Sequence, residues 1–322
     1  MKKILIIQTA FIGDVILATP VIAEIYRLCP NSKIDVLVRK GNESLLLNNP
    51  TVNSVYVLDK KKNKISELIR LLKLIRGNKY DEIINLHRYL SSGILTCLGA
   101  ANETTGFKSN PLSFFYSRKI EHSLNIEKHE VNRNLECISH IGKTHFIRPL
   151  LYPSPLDFEK VKEYTNEVYF CLAPSSVWFT KMLPVQKWVE LVKILSEKGK
   201  VYLLGGPSDF SLCELIIQQS NIKSVENFAG KFSFLESAAL MKTANRNFVN
   251  DSGPLHMCSA MNAPVTVFFC STILGFGFGP LSEDAKVVEV VGLNCRPCGI
   301  HGHKACPLGH FKCGIEIELN ID

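Results

Sequence analysis

Three short segments of this 322-residue sequence carry side chains that could move protons or bind anions. In the first, Gly13 and Asp14 follow an apolar run, Ile4–Ile7. Gly13 permits an unusual backbone angle, and Asp14 stands where a helix begins. An aspartate at that point can cap the helix, and it can also accept the proton of an attacking hydroxyl group. We therefore predict that Asp14 is a general base, with helix capping as the simpler alternative.

The second segment, Ala173–Pro184, is a loop that combines hydroxyl groups with a positive charge. A diphosphate needs hydrogen-bond donors and a cation, and this loop supplies both. Its candidate anion-binding residues are Ser175, Ser176, Thr180 and Lys181. The alternative for Lys181 is an exposed lysine beside a helix start, because lysines lie mostly on protein surfaces.

The third segment reads Asn-Asp-Ser-Gly-Pro-Leu-His and spans 250–256. Its proline fits the first turn of a helix, which would leave the backbone amides of Ser252 and Gly253 pointing outward. Such a helix end binds a pyrophosphate without a metal ion, because its amides and dipole both favour negative charge. Asp251 and His256 flank this point. His256 could add a hydrogen bond to the same ligand, or it could be an ordinary core residue.

The elements that would hold these segments alternate between strands and helices. In the first half, strands are predicted at Ile4–Ile7, Lys33–Val38, Ser54–Leu58 and Glu82–Leu86, with helices from Asp14 and over Ser66–Arg76. In the second half, strands are predicted at Val168–Leu172, Val201–Leu204, Asn247–Val249 and Val265–Phe269, with helices at Val185–Ser196, Leu212–Gln219, Phe234–Thr243 and from about Pro254. Alternation of this kind predicts parallel, doubly wound sheets.

Two such halves, joined by a linker near residues 149–165, predict an α/β protein of GT-B architecture. This architecture has two Rossmann-like domains, each with a doubly wound parallel sheet, facing a cleft. We place the first domain at residues 1–155 and the second at residues 156–322. Ligands of open sheets bind beyond the carboxyl ends of the strands, and all three candidate segments follow predicted strands.

The formal net charge of +7 is concentrated at the start of the chain. Residues 1–80 hold 14 Lys and Arg against 6 Asp and Glu, an excess of +8. Such a field suits nucleic acid, a membrane surface or an anionic substrate. We predict that this charge binds an anionic substrate. The alternative for the lysine cluster Lys60–Lys64 is a solvated loop. The candidate residues are Arg39, Lys40, Lys60, Lys61, Lys62, Lys64 and Arg88.

The two long apolar stretches are not predicted to be targeting or membrane segments. The first contains Asp14 and no small-residue cleavage site, so it fits a buried strand better than a signal peptide. The second, Met257–Ser282, is long enough to span a bilayer, but Asn262, Pro264 and a glycine cluster interrupt it. We predict a buried strand and a glycine-rich loop there, in a soluble cytoplasmic protein.

The sequence holds eleven cysteines, of which seven lie in apolar settings typical of core residues. The other four form the pattern Cys295-x2-Cys298-x7-Cys306-x6-Cys313. Four thiolates at these spacings would suit a tetrahedral structural zinc site. Disulfides and unligated thiols are the alternatives, with disulfides disfavoured because no secretory signal is predicted. The sequence ends soon after, at Asp322, so we expect the long closing helix of this architecture to be missing.

The three candidate segments, in their order along the chain, resemble those of the ADP-heptose:lipopolysaccharide heptosyltransferases, glycosyltransferase family nine. The resemblance covers essentially the whole chain. It rests on KILIIQTAFIGDVILATP, the Lys-x-x-Pro of the second segment, LLGGPSD, and DSGPLHMCSAMNAPVTVFF. It implies inverting transfer of heptose from ADP-heptose to the anionic inner core of lipopolysaccharide, with no metal required for catalysis. It also implies a cytoplasmic enzyme peripheral to the inner face of the inner membrane.

Carried over to this sequence, the resemblance makes Asp14 the catalytic base and places the acceptor on the first domain. With Thr180 from the second segment, the donor site would comprise Ser175, Ser176, Thr180, Lys181, Asp251, Ser252, Gly253 and His256. Two looser alignments add Phe232, packed on the adenine, and Asp209, near the ribose.

Three other functions compete with this prediction. A family-nine transferase could move a different nucleotide-linked sugar onto another surface glycan, because no sequence motif identifies residues that recognise the hydroxyl groups of the donor sugar. A nucleic-acid-binding protein with a zinc-ribbon tail is disfavoured, because no aromatic or arginine residues interleave Lys60–Lys64. A Rossmann oxidoreductase is disfavoured, because no G-x-G-x-x-G follows the first strand.

Overall fold

The computed structural model describes residues 1–61, 63–124 and 128–319 of the chain. The chain divides into two compact units, Met1–Tyr152 and the part from Pro153 onward. Within the described residues, each unit is built on a parallel sheet of six strands connected by helical crossovers. The predicted α/β class with two doubly wound sheets is therefore confirmed.

The first unit alternates strands and helices from its start. Its strands are β1 (Lys3–Gln8), β2 (Lys33–Arg39), β3 (Val52–Leu58), β4 (Glu82–Asn85), β5 (Glu103–Phe107) and β6 (Arg118–Ile120). Its helices are α1 (Ile12–Leu28), α2 (Lys64–Asn78), α3 (Leu90–Leu98) and α4 (Glu130–Glu136), with short 3-10 turns at Glu43–Leu46 and Ser113–Phe115. The strand order is β3-β2-β1-β4-β5-β6.

The second unit repeats this plan. Its strands are β7 (Tyr169–Ala173), β8 (Lys200–Leu203), β9 (Val225–Asn227), β10 (Arg246–Asn250), β11 (Val265–Phe269) and β12 (Ala285–Glu289). Its helices are α5 (Pro155–Val161), α6 (Val185–Ser196), α7 (Phe210–Ser220), α8 (Phe234–Thr243), α9 (Gly253–Met261) and α10 (Lys312–Ile315). Short 3-10 turns lie at Lys162–Tyr164, Phe179–Lys181, Pro207–Asp209 and Leu274–Phe276. The strand order is β9-β8-β7-β10-β11-β12.

Each sheet has a switch point, where the strand order reverses. It lies between β1 and β4 in the first sheet and between β7 and β10 in the second. Ligands of doubly wound sheets bind at this point, beyond the carboxyl ends of the strands. The loops that leave the sheets there carry Arg88, Lys181 and Asp251, and Asp14 lies in the first turn of α1, directly after such a loop.

The central strands are buried on both faces, which is why they read as continuous apolar runs. In β1, Ile4–Ile7 are each 0% exposed. In the second unit, the buried Trp188 ring of α6 packs edge-on against Phe268 of β11, with 5.5 Å between ring centroids. Burial of one such side chain contributes roughly 1.5–3 kcal/mol relative to leaving it exposed.

Polar side chains fix where helices begin. Asn63 Oδ1 accepts hydrogen bonds from the Ile65 and Ser66 amides, so α2 begins directly after Asn63. Ser233 and Glu236 form a reciprocal capping box at the start of α8. These contacts satisfy amides that have no partner within the first helical turn.

Sequence patterns do not predict β5, β6, β9 or β12, which lie toward the sheet edges. These strands are short and hold polar or small residues, as in the Val-Glu-Asn of β9. Their conformation comes from pairing with a neighbouring strand and not from an apolar run of their own.

No helix among the described residues is both long and apolar enough to cross a lipid bilayer. The apolar stretch Met257–Ser282 is divided among the end of α9, the buried strand β11 and a loop with a 3-10 turn. This division confirms the predicted strand followed by a glycine-rich loop.

Candidate active site

Asp14 lies in the first turn of α1, shortly after the end of β1. Its Oδ2 atom accepts a hydrogen bond from the Phe11 amide at 3.1 Å, which is the contact of a capping residue. The pKa of Asp14 is raised to about 6, first by burial and then by the charge of Glu130. The Phe11 amide and Arg88 act in the opposite direction. A carboxyl group with this pKa can accept a proton near neutral pH, so capping does not exclude the role of a base.

A network of partly and fully buried polar side chains lies beside Asp14. Arg88 Nη1 lies 3.4 Å from His122 Nδ1, and His122 Nε2 lies 3.1 Å from Glu130 Oε2. Arg133 Nε donates to the same Glu130 oxygen at 2.6 Å. Burial alone would raise the pKa of Glu130, but His122 and Arg133 outweigh it and lower this pKa. Glu130 therefore keeps its negative charge in the interior of the unit.

Packing of α4 on α1 brings this side-chain network close to Asp14. Asn134 lies one turn after Glu130, and its Nδ2 atom donates to Leu17 O at 3.2 Å. Leu17 in turn lies about one turn after Asp14, so the register sets Glu130 and Asp14 near each other. The sequence gives no signal for this contact, because the two residues are far apart along the chain and share no motif.

The loops that follow β1 and β4 are joined by a buried hydrogen bond. Thr9 Oγ1 lies 2.8 Å from His87 Nδ1. Burial lowers the pKa of His87 to about 4, and the charges of Lys60 and Arg88 add to the shift. His87 is therefore neutral at physiological pH and acts there as a hydrogen-bonding group.

Two of the predicted acceptor-binding residues lie at the end of β2: Arg39 is its last residue and Lys40 follows it. Lys40 Nζ forms an ion pair with Asp59 Oδ2 at 2.8 Å. The Arg39 guanidinium lies 5.6 Å from the centre of the exposed Phe11 ring. Both cations thus lie next to the loops that surround the start of α1.

The lysines around the start of α2 differ in their contacts. Lys60 Nζ donates to Thr9 O at 2.8 Å, and burial of its ammonium group lowers its pKa. Lys60, Lys61 and Lys64 are all exposed residues. Lys62 lies outside the described residues. The cluster is therefore attached to the loop that precedes Asp14 through Lys60 alone among the three lysines described.

Lys181 and Asp251 form an ion pair at the switch point of the second sheet. Lys181 Nζ lies 2.7 Å from Asp251 Oδ2, and the two side chains are 15% and 6% exposed. Thr272 Oγ1 donates to the same oxygen at 2.6 Å. The structure therefore joins the second and third candidate segments through one charged pair.

The N-terminal end of α9 lies beside this pair. Ser252 precedes the helix with an extended backbone, and no side-chain cap is recorded at this end of the described helix. Ser252 Oγ instead lies 3.4 Å from Ser175 O, in the second segment. His256 is 5% exposed, which places its ring in the interior. Helix α9 thus begins where the third segment predicts it, and anion binding by its first amides stays a prediction.

Asn250 ties the second segment, Ala173–Pro184, to the sheet, a role that the sequence patterns did not reveal. Its Nδ2 atom donates to Pro174 O at 2.8 Å, and its Oδ1 atom accepts from the Leu183 amide at 2.9 Å. The residue is 0% exposed. Ser175 and Ser176 are partly exposed within the loop that it holds. An asparagine at the end of a buried strand is the signal that could have indicated this role.

Thr180 occupies a different position from the one predicted. It was expected to offer its hydroxyl group to an anion, but it is 1% exposed. Its Oγ1 atom accepts hydrogen bonds from the His303 amide at 2.7 Å and from Ser271 Oγ at 3.0 Å. Because the hydroxyl group is buried between these two donors, Thr180 is a structural link and not an open anion ligand.

Comparison with known proteins identifies the family. The sequence profile of "Glycosyltransferase family 9 (heptosyltransferase)" matches residues 68–310. The chain belongs to glycosyltransferase family 9. Lipopolysaccharide heptosyltransferase 3 of Escherichia coli is 28% identical over 278 residues, which cover 81% of this chain and 82% of that protein. Lipopolysaccharide heptosyltransferase 1 of Campylobacter coli is 28% identical over 298 residues, which cover 84% of each chain.

A solved structure supports the fold of this glycosyltransferase. The ADP-heptose lipopolysaccharide heptosyltransferase II of E. coli matches with a TM-score of 0.79 at 20% identity, over 92% of this chain and 96% of that one. The family predicted from the motifs, the transferase class and the GT-B fold class are thus confirmed.

The two looser donor-site predictions fall on side chains of the transferase that have other partners. Asp209 Oδ2 accepts from the Gly206 amide at 2.8 Å and caps a short turn. The partly buried Phe232 ring packs edge-on against Phe228, with 5.2 Å between centroids. Lys231 Nζ lies 4.2 Å from the centre of the Phe228 ring. Any contact of Phe232 with adenine would therefore be made at the edge of an existing aromatic cluster.

The cysteine-rich tail of the transferase contains free thiols in the described structure. The Phe311 amide donates to Cys306 Sγ at 3.4 Å. Burial raises the pKa of Cys313 to about 11, and the nearby Cys298, Cys295 and Cys306 add to the shift. Within residues 1–61, 63–124 and 128–319, no group of three or more His, Cys, Asp or Glu is arranged to hold a metal ion. The zinc site stays a prediction.

Proposed function

We propose that this family 9 glycosyltransferase moves a heptose from ADP-heptose to the inner core of lipopolysaccharide, with inversion and without a catalytic metal. The observation that carries the proposal is the Lys181–Asp251 ion pair beside the N-terminal end of α9. A diphosphate at this point would meet an ammonium group and outward-facing amides together.

The diphosphate would be bound by the protein's own groups, without a metal ion. Lys181 supplies an ammonium group that it shares with Asp251, and the Ser252 and Gly253 amides add the partial positive charge of the helix end. Asp251 holds the Lys181 ammonium in place before the donor arrives, so less side-chain freedom is lost on binding. The choice of ADP-heptose is supported by the names of the relatives, which are lipopolysaccharide heptosyltransferases or use ADP-heptose.

Asp14 would act as the base in a single displacement. An acceptor hydroxyl oxygen attacks the anomeric carbon of the heptose while the bond from that carbon to the diphosphate oxygen breaks. The electron pair of the broken bond leaves with ADP, and the hydroxyl proton passes to the Asp14 carboxylate. One displacement inverts the anomeric carbon, and the raised pKa of Asp14 suits it to accept the proton near neutral pH.

The acceptor would bind the first unit, where the positive charge is concentrated. Residues 1–80 carry an excess of +8, although the diphosphate is expected to bind the other unit. The carboxylates and phosphates of an inner lipopolysaccharide core provide the matching negative charge. Such an acceptor would keep the enzyme at the inner face of the inner membrane as a peripheral protein.

A structural zinc ion at Cys295, Cys298, Cys306 and Cys313 is a separate proposal, with no part in the chemistry. Four thiolates are suitable zinc ligands, and the Phe311 amide would support Cys306 in that role. Metal analysis of the purified protein tests it: about one zinc per chain that is lost in Cys295→Ser supports the site. Absence of zinc from freshly purified protein, with all four thiols reactive, would contradict it.

The proposed function is tested by nucleotide release from ADP-, UDP- and GDP-sugars in parallel, with an inner-core acceptor and with EDTA present throughout. We expect ADP-heptose to be the best donor, and NMR of the product to show an anomeric configuration opposite to that of the donor. Preference for a UDP- or GDP-sugar would favour transfer to a different glycan. Retention of configuration, or loss of transfer in EDTA without unfolding, would contradict the mechanism.

A further inference from the structure

Residues 296–303 of the cysteine-rich tail, here called the clasp, pack against the loop that carries Lys181. The Thr180 hydroxyl group accepts from the His303 amide at 2.7 Å, and the Thr180 amide donates to His303 O at 3.1 Å. Ser271 completes the junction, since its hydroxyl group donates to Thr180 at 3.0 Å and its carbonyl accepts from the Cys298 amide at 3.0 Å. The clasp and the loop Ala173–Pro184, here called the donor loop, are therefore held together at one buried threonine.

Gly302 brings the backbone of the clasp against the Lys181 side chain. A Cβ atom at Gly302 would lie 2.8 Å from Thr180 Oγ1, 3.0 Å from Lys181 Cγ and 3.1 Å from Ser271 Oγ. The first of these distances is shorter than real contacts of a Cβ atom, and Thr180 and Ser271 are buried and have little room to yield. Gly302 also has a φ of +75°, which favours glycine. Only glycine fits here without displacing the donor loop.

The clasp also supports Asp251, the partner of Lys181. The Arg296 guanidinium donates to Thr272 O from Nε at 3.0 Å and from Nη2 at 2.6 Å. Thr272 in turn donates from its hydroxyl group to Asp251 Oδ2 at 2.6 Å. One end of the clasp thus fixes the stem of Lys181, and the other fixes the residue that holds its counter-ion.

We propose that the clasp positions the Lys181–Asp251 pair for the diphosphate of the donor, with Gly302, Thr180 and Arg296 as positioning residues. This inference rests on the proposed function only in taking Lys181 as the group that binds the diphosphate. A lysine side chain has four rotatable bonds, so holding its stem in advance reduces the entropy lost when the anion binds. Displacing the clasp should therefore weaken donor binding and leave acceptor binding unchanged.

Gly302→Ala is the direct test, and Gly292→Ala is its matched control. Gly292 has a similar φ of +81°, but no atom lies within 4 Å of the Cβ that would be added there. Both substitutions carry a similar backbone cost, and only Gly302→Ala adds the collision. We expect the ADP dissociation constant and the donor KM to rise about three- to tenfold in Gly302→Ala, a loss of about 0.7–1.4 kcal/mol. Gly292→Ala should bind ADP as the unchanged protein does.

Thr180→Val keeps the shape of the side chain and removes the hydroxyl link without steric strain. It should weaken ADP binding in the same direction, and thermal unfolding should show that it remains folded. A merely structural role would lower the melting temperature and the active fraction, and so kcat, while leaving the donor KM unchanged.

Lys181→Ala separates failure of this inference from failure of the donor site. Weak ADP binding in Lys181→Ala, together with unchanged binding in Gly302→Ala and Thr180→Val, would overturn the role of the clasp and leave the donor site standing. Unchanged ADP binding in Lys181→Ala would show that the donor site itself is wrongly placed, and the inference would fall with it.

Discussion

Glu130, the first residue of α4, places a negative charge beside Asp14 in the first turn of α1, and this charge adds to the effect of burial in raising the pKa of the Asp14 carboxyl group. Two carboxylates that lie close together resist ionising at the same pH. His122 and Arg133 hold Glu130 in its ionised form, so Asp14 is the member of the pair that retains a proton to higher pH. As a consequence, Asp14 is a stronger base than an ordinary aspartate.

We expect Asp14→Asn to lower turnover about a hundredfold or more and to leave the donor KM nearly unchanged. The amide oxygen of Asn can still accept from Phe11, but it cannot take the acceptor proton. In the unchanged enzyme, kcat/KM should fall as the pH drops through about 6, because protonation of Asp14 removes the base. Steady-state kinetics across this range measure both effects. Near-normal turnover in Asp14→Asn would reduce Asp14 to a helix cap.

Ionisation of Asp14 should have opposite effects on activity and on the free energy of unfolding. The folded-state pKa of Asp14 lies at about 6, above the ordinary 3.8, so the folded chain binds this proton more tightly than the unfolded chain. The stabilising contribution is therefore present below pH 3.8 and is lost as the pH rises through about 6. We expect Asp14→Asn to melt at a higher temperature than the unchanged enzyme at neutral pH, but not near pH 4. A lower melting temperature at neutral pH would mean that the capping charge outweighs the cost of its burial.

We predict that Glu130→Gln shifts the acidic limb of the kcat/KM profile to lower pH and lowers its plateau. Loss of the Glu130 charge makes Asp14 a weaker base. The matched control is Glu136→Gln on the same helix, where the glutamate pairs with Lys128.

Arg88→Gln provides the opposite test, because Arg88 lowers the pKa of Asp14. The acidic limb should then move to higher pH. Shifts of the same sign in Glu130→Gln and Arg88→Gln, or an equal shift in Glu136→Gln, would rule out a direct effect of these charges on Asp14. Because opposite shifts are required, a general loss of stability cannot imitate the result.

Two substitutions test the donor site from its two sides. Lys181→Ala removes the charge. Ser252→Pro removes an amide from the start of α9 and also shifts the backbone there, because proline cannot adopt the φ of −155° at Ser252. Each should weaken ADP binding about tenfold or more. Lys187→Ala on α6 and Ser252→Ala, which keeps the amide, are the matched controls and should bind nearly as before. Calorimetry with ADP measures all four variants. Equal losses in Ser252→Ala and Ser252→Pro would assign the effect to the hydroxyl group and not to the helix end.

The basic cluster is tested by replacing Lys60, Lys61, Lys62 and Lys64 together with Gln. We expect the acceptor KM to rise and its salt dependence to flatten, because exposed charges act cumulatively and are screened by salt. Donor affinity should not change. The matched control replaces four lysines of the second unit, Lys187, Lys193, Lys198 and Lys200. An unchanged acceptor KM at low salt would show that the cluster is a solvated surface loop.

The sequence predicted what local patterns determine. Central strands such as Ile4–Ile7 are buried on both faces, so their apolar runs identify them, and the loops that follow carry recognisable motifs. Contacts between distant segments could not be predicted in this way. The effect of Glu130 on Asp14 depends on the packing of two helices. The burial of Thr180 depends on His303, which is more than a hundred residues further along the chain. In each case tertiary contacts, and not residue type, decide the role.

Asn250 clamps the backbone at both ends of the loop between Pro174 and Leu183. The positions where this loop enters and leaves are therefore set independently of most residues within it. For an engineer, this makes Ser175–Phe179 an exchangeable cassette. Its length and side chains can be varied in a library to change its contacts with the diphosphate, provided that Asn250 and the Thr180 junction are kept.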